Sequence, residues 1–196
     1  MPLPAFCFME ITTDLLNRCR KNDRKAQYEL YLECYPVLMS ICSRYFQNDI
    51  DSRAILNEGF LKIILNLEKP SQQIPFAAWI RRIMINTIID HYRKNKNYFT
   101  NMEHADLPQL QVVTQFDVSL QDHYDAEELL SMVRELPPMT NRVFNLFAIE
   151  GYAHSEIAEV LGISEGTSKW HVSTARKFLS EMIQRKKQLA VKMHKG

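Results

Sequence analysis

The sequence predicts an all-α protein of two small helical domains joined by an acidic linker. Three observations carry that expectation. Glycine is scarce, with 5 in 196 residues, and the long stretches repeat apolar residues at three- and four-residue spacing, the period of an amphipathic helix. That pattern lapses over about Phe99–Tyr124 and resumes from Asp125. Charge divides the chain at the same place, although the formal net charge is only +1. From Trp79 to Asn97 the bases Arg81, Arg82, Arg93, Lys94 and Lys96 stand against Asp90 alone. From Phe99 to Glu128 there is no Lys or Arg, but there are Glu103, Asp106, Asp117, Asp122, Asp125, Glu127 and Glu128. From Gly166 onward, Lys169, Arg176, Lys177, Arg185, Lys186, Lys187, Lys192 and Lys195 face only Glu181. Two basic regions around an acidic connector imply two nucleic-acid contacts on one chain.

The first domain is expected over residues 1–98. Its first long helical run is Ala26–Phe46, which Pro36 kinks or divides into two helices. A second helix should span Asp51–Leu67, with Ile55, Leu56, Phe60, Ile63, Ile64 and Leu67 inward. The polar segment Glu68–Pro75, which includes Lys69, Ser71, Gln72 and Gln73, reads as a loop bounded by prolines. A third helix should run over Phe76–Lys94. Here Arg82, Asn86, Asp90 and Arg93 are spaced four, four and three apart and share one face. Trp79 is open to two readings, core packing or part of a platform where an aromatic, an amide and guanidiniums accept phosphates and unstacked bases.

Residues 99–124 form the expected linker, and 125–190 the second domain, followed by a basic tail at 191–196. Leu129, Leu130, Val133 and Leu136 mark a helix stopped by Pro137-Pro138. Another helix comes next, with Val143, Phe144 and Phe147 inward, ended by Gly151. Then comes the most specific pattern of the chain, Glu156-Ile-Ala-Glu-Val-Leu-Gly162-Ile-Ser164 leading into a helix through Leu179. Ala158 is small where two helices must approach, Gly162 suits a left-handed turn, and Ser164 can cap the second of those helices. This is a helix-turn-helix pattern, whose second helix enters the DNA major groove. Ser168, Val172, Ala175 and Leu179 form its inward seam, with Ser168 standing where a β-branched apolar residue would pack better. Lys169, Ser173 and Arg176 share the outward arc, with Trp170 and Lys177 beside them.

Other chemistry is not signalled. Cys7, Cys19, Cys34 and Cys42 form no Cys-x-x-Cys pair, so free thiols are expected, Cys34 and Cys42 facing the core, with no metal and no cofactor. No catalytic motif stands out among the six scattered histidines, so no enzyme is expected. No apolar run reaches the roughly 20 residues needed to span a bilayer, and no membrane insertion and a cytoplasmic location are expected.

Two blocks together resemble the extracytoplasmic-function sigma factors of bacterial RNA polymerase. The first is Asp51-Ser-Arg-Ala-Ile-Leu-Asn-Glu-Gly-Phe-Leu-Lys62 with Phe76-Ala-Ala-Trp-Ile-Arg-Arg-Ile-Met-Ile-Asn86 and Asp90-His-Tyr-Arg-Lys94. The second is Glu135-Leu-Pro-Pro-Met-Thr-Asn-Arg-Val-Phe144 with Glu150-Gly-Tyr and Glu156 through Lys177. The resemblance implies binding to core RNA polymerase through Asp51, Asn57, Glu58 and Lys62, although acidic residues are usual in the family where Arg53 and Ala54 stand. It implies capture of the melted minus-ten element by Lys69, Ser71, Gln72, Gln73, Trp79, Arg82, Asn86 and Arg93. Duplex reading of the minus-thirty-five element falls to Ser164, Glu165, Thr167, Lys169, Trp170, Ser173, Arg176 and Lys177. An anti-sigma factor is an implied partner. The linker's carboxylates either mimic nucleic acid in the polymerase channel or serve solubility alone. The rival reading is a stand-alone helix-turn-helix activator or repressor that works without core polymerase.

Overall fold

The first helix, α1 (Thr13–Arg20), begins where Thr12 Oγ1 accepts a bond from the Leu15 backbone N–H. Asp14, near the positive end of that helix, pairs with Arg18 at 3.0 Å. The computed structural model describes residues 11–68, 74–95 and 126–193. Every regular element among them is helical, and the chain divides into two units, residues 1–94 and 95–196.

Asn22, at φ 61°, turns the chain into α2 (Arg24–Tyr45), whose first amides donate to the Asp23 carboxylate. Pro36 does not divide α2, which stays a single helix. A proline there removes one bond to the Leu32 carbonyl, and both residues lie on the exposed face, where water can satisfy that oxygen. α3 (Asp49–Leu65) starts two residues before the expected position because Asn48 caps it. Asn48 Oδ1 accepts from the Asp51 N–H, and Asn48 Nδ2 donates to the Asp51 carboxylate, both at 2.8 Å. Past the end of α3, Arg20 Nε and Nη2 both donate to the Leu67 carbonyl. α4 spans Phe76–Lys94, the expected range.

In this unit α2 packs on α1, α3 and α4, and α3 packs on α4. Leu30, Leu38, Ile41, Leu56, Ile63, Ile80, Met84 and Ile88 fill the core. Phe60 and Ile64, expected inward, are only half-buried. Gly59 permits close approach of α3 to α4, since a Cβ there would lie 2.6 Å from Met84 Cε. Cys34 and Cys42 do face the core, where burial pushes each thiol up to about 12. Cys7 lies outside the described residues.

The second unit contains α5 (Ala126–Arg134), α6 (Pro138–Phe144), α7 (His154–Leu161) and α8 (Glu165–Met193). Pro138 suits the first turn of α6, where its missing N–H has no partner to lose. Asn141 Nδ2 donates to the Val133 carbonyl at 2.7 Å, which ties the end of α5 to α6. α6 then widens into a π-turn over Asn145–Ile149, closed by the Glu150 N–H on the Asn145 carbonyl five residues back. That widening re-aims the side chains. Leu146 is buried, whereas Phe144 and Phe147, expected inward, are only partly covered. Gly151, at φ 77°, ends the segment as expected. α6, α7 and α5 all pack on α8, around Val133, Leu136 and Ala175, with Phe144 and Leu179 against them.

Candidate nucleic-acid interfaces

The turn between α7 and α8 is built as the sequence requires. Gly162 takes a left-handed conformation at φ 66°, and the Ile163 N–H reaches back to the Ala158 carbonyl at 3.1 Å. Ser164 then caps α8, with its Oγ accepting from the Thr167 N–H at 3.0 Å. The Thr167 hydroxyl lies 2.8 Å from the same Oγ. At the other end of α7, Ala153 offers no side-chain acceptor. The Glu156 carboxylate instead accepts the Ala153 N–H at 2.7 Å.

Ser168, Val172 and Ala175 of α8 are buried in the seam, and Leu179 is partly so. The opposite arc is open: Lys169 and Arg176 are exposed, Ser173 is half-buried, and Lys177 is exposed beside them. Glu165, also exposed, lies 3.9 Å from Lys169, a loose surface pair that leaves the ammonium available to a phosphate. Trp170 is half-buried and meets His171 edge-on at 4.8 Å. Its indole N–H is shut away from solvent without a hydrogen-bond partner among the described residues, so the exposed part of this ring is apolar.

Two histidines that the sequence left unassigned anchor this helix. His171 Nδ1 lies 3.0 Å from Thr140 Oγ1 in a buried pair. Burial lowers the His171 pKa to about 4 and leaves the ring neutral at pH 7. His154 Nδ1 lies 2.9 Å from Ser168 Oγ, and its ring stacks on Phe147 at 4.4 Å. Burial first, and then Lys169, lower the His154 pKa. Ser168 is therefore no packing defect, because its hydroxyl has a partner. Spacing could not reveal either bond, since the partners are 14 and 31 residues apart.

On the first unit, α4 buries Ile80, Met84, Ile85, Thr87, Ile88, Ile89 and Tyr92 and leaves Arg82, Asn86 and Arg93 exposed. Trp79 is half-buried, with its ring centre 5.6 Å from that of Phe76. At about 100° per residue, Trp79, Arg82, Asn86, Asp90 and Arg93 fall within one arc of α4. Asp90 is partly neutralised by Lys62 of α3, 3.4 Å away, which also meets Glu58 at 3.2 Å. Net positive charge thus dominates that arc. Asn57 Oδ1 accepts from the Tyr31 hydroxyl at 3.1 Å, and Asp51 is held in the α3 cap. Lys69, Ser71, Gln72 and Gln73, like the linker at 99–124, lie outside the described residues.

A capped helix-turn-helix with a basic outer arc in one unit, and an aromatic and cationic helix face in the other, define a DNA-binding transcription protein. The sigma-70 region 2 family matches residues 30–98, and the sigma-70 region 4 family matches residues 126–179. The chain belongs to the extracytoplasmic-function sigma factors of bacterial RNA polymerase. It is 25% identical over 176 residues to the ECF RNA polymerase sigma factor SigW of Bacillus subtilis, across 86% of this chain and 94% of that protein. It is 22% identical over 188 residues to the ECF RNA polymerase sigma-E factor of Haemophilus influenzae, across 87% and 94%. The similarity therefore runs through both units and not through the helix-turn-helix alone. Among solved structures, the sigma factor RpoE in complex with the anti-sigma factor NepR, from Bartonella quintana, matches 80% of this chain and 96% of that one. The TM-score is 0.45 and the identity 16%.

Proposed function

We propose that this sigma factor holds its promoter at two places, with residues 1–98 on the core polymerase and the minus-ten element and residues 125–190 on the minus-thirty-five duplex. The observation that carries the reading is the two-sided build of α8. Its inner seam is sealed by Ser168, Val172 and Ala175, while Lys169, Ser173 and Arg176 stand together on the outer side. Cationic and hydroxyl groups on a groove-sized helix suit base edges and phosphates. Ser164, Glu165, Thr167, Trp170 and Lys177 surround that arc.

Trp79, Arg82, Asn86 and Arg93, with Lys69, Ser71, Gln72 and Gln73, hold the melted strand. An aromatic surface and cations there offset the cost of unstacking bases. Asp51, Asn57, Glu58 and Lys62 on α3 meet the core polymerase. Residues 99–124 connect the two domains, and the protein works in the cytoplasm with an anti-sigma factor as a further partner. No helix among the described residues is long and apolar enough to cross a membrane. The region 2 match leaves the stand-alone regulator without support.

Run-off transcription with core polymerase from the same bacterium tests the reading, with promoter-dependent transcripts expected only when this chain is added. Arg176→Ala should weaken duplex binding by roughly 1–3 kcal/mol if its contact is to a base edge. Wild-type affinity in that variant would show the groove-facing arc to be misassigned.

A further inference from the structure

The seam between α7 and α8 sets a directed bond among buried apolar side chains. Ile157 and Leu161 on α7 and Val172 and Ala175 on α8 are buried apolar side chains, which resist separation but tolerate small rotations. Ser168, at 0% exposure, adds its hydroxyl bond to His154 Nδ1 at 2.9 Å. His154 is itself held in place. It is the first residue of α7, and its ring lies nearly parallel to Phe147, 14° between planes, on the π-turn that ends α6. A continuous path therefore runs from the π-turn through Phe147 and His154 to Ser168, the neighbour of Lys169.

Rotation is what such a bond can control. At a helix outer radius of roughly 5–6 Å, a 20° turn of α8 moves an outward side chain by about 2 Å. A base-edge hydrogen bond does not survive a displacement of that size, whereas attraction to phosphates hardly changes. We propose that His154 and Ser168 are a positioning pair that sets the rotation of α8, and through it the sequence discrimination of the minus-thirty-five contact. Neither residue touches DNA in this scheme, which rests on the two-point promoter reading above. The Ser168 hydroxyl, at a place suited to an apolar side chain, thereby has a task.

The test is transcription by the full chain with its core polymerase from a promoter library randomised at the minus-thirty-five element, read by sequencing the transcripts. Thermal melting is measured on the same proteins. The wild type should enrich a narrow set of sequences. Ser168→Ala leaves the part-buried His154 imidazole nitrogen without this partner, so it should lower the melting temperature and reduce enrichment about tenfold, the scale of one lost base contact. The double variant His154→Phe with Ser168→Ala removes both polar partners and keeps a ring to stack on Phe147. Its melting temperature should recover while its enrichment stays low. His154→Gln, which retains a polar group toward Ser168, should recover part of the enrichment.

If enrichment tracks melting temperature through the whole set, the pair is merely structural and the proposal is overturned. Undiminished enrichment in Ser168→Ala overturns it equally. Absence of promoter-dependent transcripts with the wild-type protein would instead sink the two-point reading, and the positioning role with it.

Discussion

The two units hold α4 and α8, the helices proposed to face DNA, by different means. Around α4, among the described residues, burial is mostly apolar, with Arg44, Ser52 and Thr87 the buried polar side chains in the unit and one buried bond from the Tyr92 hydroxyl to the Tyr45 carbonyl at 3.0 Å. Around α8 the interior holds Thr140, Asn141, Arg142, Asn145, Ser168 and His171. Apolar burial scales with area and has little directional preference, whereas a buried hydrogen bond weakens steeply when its angle changes. The difference matches the proposed tasks. Gripping a flexible single strand tolerates small shifts of the platform, but reading base edges in a duplex requires a helix fixed in rotation.

The largest expected effect tests the apolar side of that contrast. Leu56→Ala, at a fully buried site between helices, should destabilise the first unit by about 2–5 kcal/mol through lost burial and a residual cavity. Each unit contains one tryptophan, Trp79 and Trp170. Urea denaturation of single-tryptophan variants should therefore show the loss at Trp79 and little change at Trp170.

Acidification should strike the other unit. The His171 pKa is about 4 when folded, against an ordinary 6.5. Above pH 6.5 the ring is neutral in both states and its contribution to stability is complete. Between pH 6.5 and 4 the unfolded chain binds a proton that the folded one refuses. Stability then falls as pH drops, by on the order of 3 kcal/mol in total. His154, lowered in the same direction, adds to the same trend. Trp170-monitored unfolding between pH 7.5 and 4 should show this slope, and His171→Gln should flatten it. An equal slope at Trp79 would break the contrast.

Asn141→Ala removes a bond to the Val133 carbonyl and should cost about 1–3 kcal/mol in the second unit. Ser164→Ala, at the exposed cap of α8, should cost about 1 kcal/mol, read by the same unfolding measurement. A larger loss there than at Asn141 would shift the anchor of α8 from its buried bonds to its turn.

Much of this architecture could be read along the chain. The range of α4, the Gly162–Ser164 turn and the inward seam of α8 follow from periodicity and cap chemistry, which act within a few residues. Of the two outcomes open at Pro36, division did not occur, because a helix can lose one bond where water replaces it, and exposure is not a local property. Phe144 does pack on the core, but Phe147 is only partly covered, because the π-turn changes the period on which its inward role relied. The candidate arc of α8 was legible as a face, as was the polar arc of α4. The anchors of α8 were not, because no local rule joins Ser168 to His154 or His171 to Thr140.

The sequence by itself determined that the chain is helical, where its helices turn, and which faces carry charge. Each of these depends on neighbours within one or two helical turns. Only the tertiary structure decided what holds α8 in rotation, because a hydrogen bond between side chains on different helices exists only after packing has brought them within about 3 Å. Ser168 shows the boundary between the two. Along the chain it stands where an apolar residue would pack better, and in the folded protein it is the buried half of a part-buried bond to His154.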